Sequence, residues 1–74
     1  MTIAMWTIYD SPDDMPGYFV ARRFIVKDGQ IIVTTEHLAD KSLTPVLAWF
    51  ADKPYTWLPR SPEDHPNVLG SYME

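Results

Sequence analysis

The side chains able to do chemistry fall into three groups. The first is a near-repeat: Ser11-Pro12-Asp13-Asp14-Met15-Pro16 returns fifty positions later as Ser61-Pro62-Glu63-Asp64-His65-Pro66. These segments offer four carboxylates, Asp13, Asp14, Glu63 and Asp64, with Asp10 close by. Carboxylate oxygens suit hard cations such as Ca²⁺ or Mg²⁺, so these residues are the candidate metal ligands, with His65 as an added nitrogen donor. Their spacing is not that of an EF-hand loop, and a plainer physical reading competes. Serine before proline is a natural helix N-cap, proline is preset for the first helical position, and acids suit the positive end of a helical turn. Asp64, three residues after Ser61, approximates a capping box. On that reading each segment is a capped turn stopped by Pro16 or Pro66, and no metal is expected. Nothing in the sequence makes the two segments meet.

The second group is Arg22-Arg23, set within a run of strand formers. Adjacent strand residues point to opposite faces, so at least one arginine shares a face with apolar neighbours. Its plain role is to lay its stem on that surface and pair its head with an acid. The functional alternative is an anion contact, because a guanidinium grips phosphate or carboxylate as a fork. The third group is His37 and His65, which no motif links and which read as solvated. With no cysteine and no Ser-His-Asp arrangement, no residue is assigned a catalytic or cofactor-binding role.

The elements that must position these groups follow from pattern. Ile3 to Tyr9 reads as a strand with apolar side chains on both faces, hence one lying inside a sheet. Tyr18 to Val26 and Ile31 to Thr35 read as a hairpin around Asp28-Gly29, a pair suited to the positive φ angles of a type I′ turn. That loop sets Val26 opposite Ile31, Ile25 opposite Ile32, Phe24 opposite Val33 and Arg23 opposite Thr34. One hairpin face then carries Val20, Phe24, Val26, Ile31 and Val33, and is expected to be the core. The other carries Phe19, Ala21, Ile25 and Ile32.

Ser42 to Asp52 reads as a helix, with Leu43, Val46, Leu47 and Phe50 on one stripe and Pro45 in the first turn. Ser42 or Thr44 would cap it, Pro54 would end it, and Trp49 would flank the core. Residues 53–67 read as a proline-rich loop, and Val68 to Met73 as a last strand weakened by Gly70. The expected fold is a single α+β domain over 1–74: a mostly antiparallel four-stranded sheet in the order β-β-β-α-β, with one helix on one face.

Composition bounds the function classes. A domain of 74 residues without cysteine has no disulfide or zinc-thiolate staple, so it needs a dense core, oligomerisation or both. Hydrophobic residues make up 46%, including three Trp, four Tyr and three Phe, which supports such a core. A net charge of −4 with only six Lys and Arg lacks the basic footprint of nucleic-acid binding. No signal-peptide pattern opens the sequence and no apolar run approaches the ~18 residues of a membrane span, so a cytoplasmic location without membrane partners is expected.

Three stretches taken in order carry a family resemblance: Met5-Trp6-Thr7-Ile8-Tyr9-Asp10, Phe19-Val20-Ala21-Arg22-Arg23-Phe24, and Leu58-Pro59-Arg60-Ser61-Pro62-Glu63-Asp64. They resemble a family of short uncharacterised bacterial proteins with a Trp-Thr-(Ile/Val)-Tyr-Asp opening, a Phe-Val-Ala-Arg strand and a late Leu-Pro-Arg-Ser-Pro-Glu-Asp-Asp-Pro segment. The resemblance spans most of the chain and implies a bacterial or phage-derived cytoplasmic protein. It supplies no activity. His65 stands where the family pattern has a second aspartate.

The leading expectation is a small non-enzymatic domain acting by protein–protein contact as a homodimer, with no cofactor. Its candidate interface is Trp6, Phe19, Ile25 and Ile32, left bare on the sheet face opposite the helix unless the segment Tyr55–Leu58 covers them. The alternative is a small-anion or metal-binding domain using Arg22 and Arg23 or the acidic turns.

Overall fold

Strand formers run without a breaker from Thr2 to Asp10, and this segment is β1. The computed structural model describes all residues 1–74, continuing with β2 (Phe19–Lys27), β3 (Gln30–Asp40), α1 (Leu43–Phe50), β4 (Thr56–Pro59) and β5 (Val68–Met73). The strands form one sheet of five in the order β3-β2-β1-β5-β4. Every neighbouring pair is antiparallel. β1 lies at the centre, as its two apolar faces require. No helix is long and apolar enough to cross a membrane.

The hairpin forms as its turn residues dictate. Asp28 and Gly29 both take positive φ, 51° and 77°, and the register runs Val26–Ile31, Ile25–Ile32, Phe24–Val33. The pairing then departs from expectation. The ladder resumes at Arg22–His37, so Thr34, Thr35 and Glu36 bulge opposite Arg23 alone. The Thr34 hydroxyl fastens the bulge, donating to the Arg23 carbonyl at 2.9 Å and accepting from the Glu36 N–H at 3.2 Å. Beyond it β3 continues well past Thr35, to Asp40.

α1 is the expected helix, trimmed at its C-terminal end. Ser42 sits at the N-cap in extended conformation, but its side chain makes no capping bond. Asp40 does related work from outside, its carboxylate accepting from the Ser42 N–H at 2.8 Å. Val46 and Phe50 of the stripe are buried. Trp49 flanks the core, its ring 5.1 Å from that of Trp6 and 4.9 Å from that of Phe50.

Two expectations are corrected here. The sheet has five strands rather than four: Thr56–Pro59, read as loop, pairs with β5 from Thr56–Met73 to Pro59–Gly70. Proline lacks a donor, which an edge strand tolerates, and β4 is such an edge. Thr56–Leu58 therefore widens the sheet, while Tyr55, just before β4, packs against the core.

The second correction concerns which face α1 covers. The core is Trp6, Ile8, Ala21, Val46 and Phe50, flanked by Phe19, Leu38, Leu43, Tyr55, Leu69 and Tyr72. The helix thus packs on the face of Phe19 and Ala21, not on that of Val20, Phe24 and Val26. Both faces of β1 and β2 are apolar, so alternation alone does not choose between them. The choice falls to the side where the aromatic residues meet: Phe50 stacks on Tyr72 at 4.3 Å and meets Trp6 edge-on at 5.5 Å. Fully burying a side chain such as Phe50 contributes about 1.5–3 kcal/mol.

Candidate functional site

The β1–β5 pairing gathers the polar groups. It places the segment after β1 beside the segment before β5, so the two acidic segments meet at one end of the sheet. The Asp10 N–H donates to the Asn67 carbonyl at 2.8 Å, and the Asn67 side-chain amide donates to the Ser11 carbonyl at 3.1 Å. Pro12, Val20 and Val68 are buried at this end.

Despite their similar sequences the segments do different things. In the second, the Asp64 carboxylate accepts from the Ser61 N–H at 2.9 Å while the Asp64 N–H donates to the Ser61 carbonyl at 3.0 Å. That is the reach-back arm of a capping box, as the spacing predicts. Glu63 accepts from the Ser61 hydroxyl at 3.0 Å. In the first, Ser11 itself has positive φ, 54°, and its hydroxyl accepts from the Gly17 N–H at 2.6 Å. Asp14 is thereby left to reach across to β2.

There it meets Arg22, whose guanidinium donates to the Asp14 carboxylate at 2.6 Å and lies 5.6 Å from the Tyr9 ring centre. This bond holds the Asp14 carboxyl below the usual carboxylate range. Burial pushes the Tyr9 phenol up, the Arg22 charge opposes that shift, and the Asp64 charge adds to it. Two shallow concavities flank the ion pair. One, of about 410 Å³, runs from Asp14 and Met15 to the β3 bulge at Thr34–His37. The other, of about 240 Å³, lies among Tyr9, Pro12, Asp13, His65 and Asn67. Both histidines thus border Arg22. The four candidate metal ligands do not converge: no group of three acidic or histidine side chains is placed to hold a metal ion.

Arg23 points to the opposite face and is fully engaged. Its guanidinium donates to both carboxylate oxygens of Glu74, at 2.7 and 3.3 Å, and to Glu36 at 3.3 Å. The same Glu74 carboxylate accepts from the Trp6 indole N–H at 2.9 Å. Glu74 hydrogen bonding raises the Arg23 pKa above its usual value. No sequence signal marks Glu74 for this role, since only the β1–β5 register brings it to Trp6. Both arginines therefore carry out the pairing role, Arg23 through all its guanidinium nitrogens and Arg22 through a single one.

The candidate interface divides. Trp6 is only 4% exposed beneath α1, and Phe19 packs against the same core. These two are withdrawn as interface residues, because the helix covers the face that carries them. Ile25 is half-buried and Ile32 is 45% exposed, one register row nearer the hairpin and outside that core. Sequence reasoning missed their neighbours. Ile31 and Val33, expected in the core, are 71% and 73% exposed. The face they share with Phe24, Val26 and Met5 carries no helix, and its central side chains are half-buried against one another. The signal that could have identified β3 as an edge strand is its polar second half, Thr34-Thr35-Glu36-His37. No family model, curated protein or solved structure matches this chain.

Proposed function

We propose that this protein is a small, non-enzymatic protein–protein interaction domain that works by self-association through the hairpin end of its sheet. The observation that carries this reading is a run of three consecutive apolar residues, Ile31, Ile32 and Val33, all exposed on an edge strand. Scattered exposed apolar residues are ordinary, whereas a contiguous apolar patch marks an interaction surface. This run adjoins the helix-free face of Phe24 and Val26. A second copy of the same patch is its simplest complement, because two-fold pairing buries identical surfaces on both subunits. The concavities beside Arg22 are shallow, and Asp14 and Glu36 at their margins are already paired with arginines, which suits a recognition surface better than a catalytic pocket.

The test is a comparison of wild type with Val33→Asp by analytical ultracentrifugation. Val33 is already solvent-facing, so the variant keeps the fold and loses self-association. A Val33→Asp variant that associates as strongly as wild type would remove the patch from the account.

A second reading has one observation in its favour, the placement of Asp13, Asp14 and both histidines in the two concavities that border Arg22. It makes the junction a binding site for a small anion or a cation. Titration calorimetry with inorganic phosphate and with Ca²⁺ decides it: a micromolar isotherm abolished by Arg22→Gln or Asp14→Asn would favour this reading.

A further inference from the structure

We infer that two copies join edge to edge through β3, Gln30–Thr34 of one pairing antiparallel with Gln30–Thr34 of the other about a two-fold axis at Ile32. This rests on the self-association reading and gives it a geometry. The two edges of the sheet are unlike. β4 is four residues long and ends in Pro59, features that discourage further pairing. The first part of β3 has no proline, no charge and no bulge until Thr34, so it presents an open ladder.

The turn fixes which backbone groups face outward. In a two-residue hairpin the closing pair, here Lys27–Gln30, is hydrogen-bonded, and hydrogen-bonded pairs alternate with non-bonded ones. Ile25–Ile32 is then a bonded pair, and the N–H and C=O of Ile32 point to β2. Those of Ile31 and Val33 point away from β2, toward the empty side of the edge.

The axis at Ile32 uses these groups fully. It sets Ile31 opposite Val33 of the second copy, and Val33 opposite Ile31, giving four backbone hydrogen bonds across the axis. Ile32 meets its own copy on the helix-side face, while the two Ile31–Val33 pairs meet on the helix-free face. Moving the axis to Ile31 would set Val33 against Gly29, and moving it to Val33 would set Ile31 against Thr35. Only the central register matches apolar with apolar throughout. It also explains why Ile32 is exposed together with its neighbours, although it points to the other face. Stacking a second sheet on the helix-free face would bury Ile31 and Val33 and leave Ile32 bare. The Thr34–Glu36 bulge ends the pairing, which keeps the interface small and its association concentration-dependent.

Amide hydrogen exchange by NMR on the whole chain tests the geometry, at a concentration where ultracentrifugation shows the dimer and again on dilution. The Ile31 and Val33 amides should exchange about tenfold or more slowly in the dimer than in dilute protein, because local protection tracks hydrogen bonding. The Ile32 amide should be protected at both concentrations. Val33→Pro, which removes only an outward donor, should be monomeric with its β1–β2 amides still protected. A dimer whose Ile31 and Val33 amides exchange freely, or a folded Val33→Pro dimer, would overturn edge pairing and leave self-association standing. A wild-type monomer would overturn both. If Val33→Pro fails to fold, the exchange measurement alone decides.

Discussion

Glu74 is the side chain whose removal should cost most for its size. One carboxylate accepts from the Trp6 indole at 2.9 Å and from Arg23 at 2.7 Å, fastening the end of β5 across β1 to β2. Glu74→Ala leaves the Trp6 N–H without a partner in a nearly closed site. A part-buried bond to a charged group contributes about 1.5–3 kcal/mol. The side chains of Arg23 and Glu74 are 21% and 23% exposed. The Arg23 stem is covered and its charged end lies at the rim, so screening limits that pair to about 1 kcal/mol or less. The sum is roughly 2–4 kcal/mol, set against a total stability on the order of 4–11 kcal/mol for a chain of this length. With about 4–8 °C lost per kcal/mol in small domains, thermal unfolding followed by circular dichroism should show a Tm lowered by roughly 8–32 °C. Glu74→Gln keeps an oxygen for the indole and should lose about half as much. In a double-mutant cycle with Trp6→Phe, the two substitutions should be clearly non-additive. A Glu74→Ala Tm within about 3 °C of wild type would refute the clamp.

Three further outcomes follow from the geometry. Gly70 lies under the Trp57 ring, and a Cβ there would overlap ring atoms and reach 3.0 Å from the Leu58 carbonyl. Gly70→Ala should therefore cost about 1–3 kcal/mol in denaturant unfolding and shift Trp57 fluorescence as the ring leaves its place; an unchanged midpoint would contradict the packing of β4. Because Arg22 lowers the Asp14 pKa, the ion pair favours the folded state above the ordinary aspartate value of about 3.9 and is lost as pH falls through the lower folded value. Carboxyl NMR titration should show this depression, and Arg22→Gln should remove most of it, leaving the smaller effect of a backbone N–H; an undiminished depression in Arg22→Gln would assign it elsewhere. Calorimetry with Ca²⁺, Mg²⁺ and Mn²⁺ should show no saturable binding below millimolar concentration, because no three carboxylate or histidine side chains converge; a micromolar isotherm would reverse that conclusion.

Much of the framework was legible from local chemistry. Asp28-Gly29 set the hairpin and its register as far as Val33, the Leu43-Val46-Leu47-Phe50 stripe located the helix, and the apolar faces of β1 put it inside the sheet. What escaped was decided at long range. β4 was hidden by Pro54 and Pro59, which break a central strand but not an edge. The covered face was ambiguous because Phe19 and Ala21 are no more apolar than Val20 and Phe24, so where the aromatic residues gather made the choice. The Thr34–Glu36 bulge has no glycine to announce it. The meeting of the acidic segments depends on β1–β5 pairing, across nearly the whole chain. Within the site, the Asp64 capping arm was readable from spacing, whereas the positive φ of Ser11, the Asp14–Arg22 bond and the Glu74 clamp were not.

We propose above all that the exposed Ile31–Val33 edge meets a second copy. Sedimentation equilibrium of the wild-type chain at about 10 μM, where a concentration-linked dimer is populated if its Kd is micromolar or tighter, addresses it most directly. The expected mass rises with concentration toward twice the 8.5 kDa of one chain. A mass that stays at 8.5 kDa through that concentration and tenfold above it would contradict the claim.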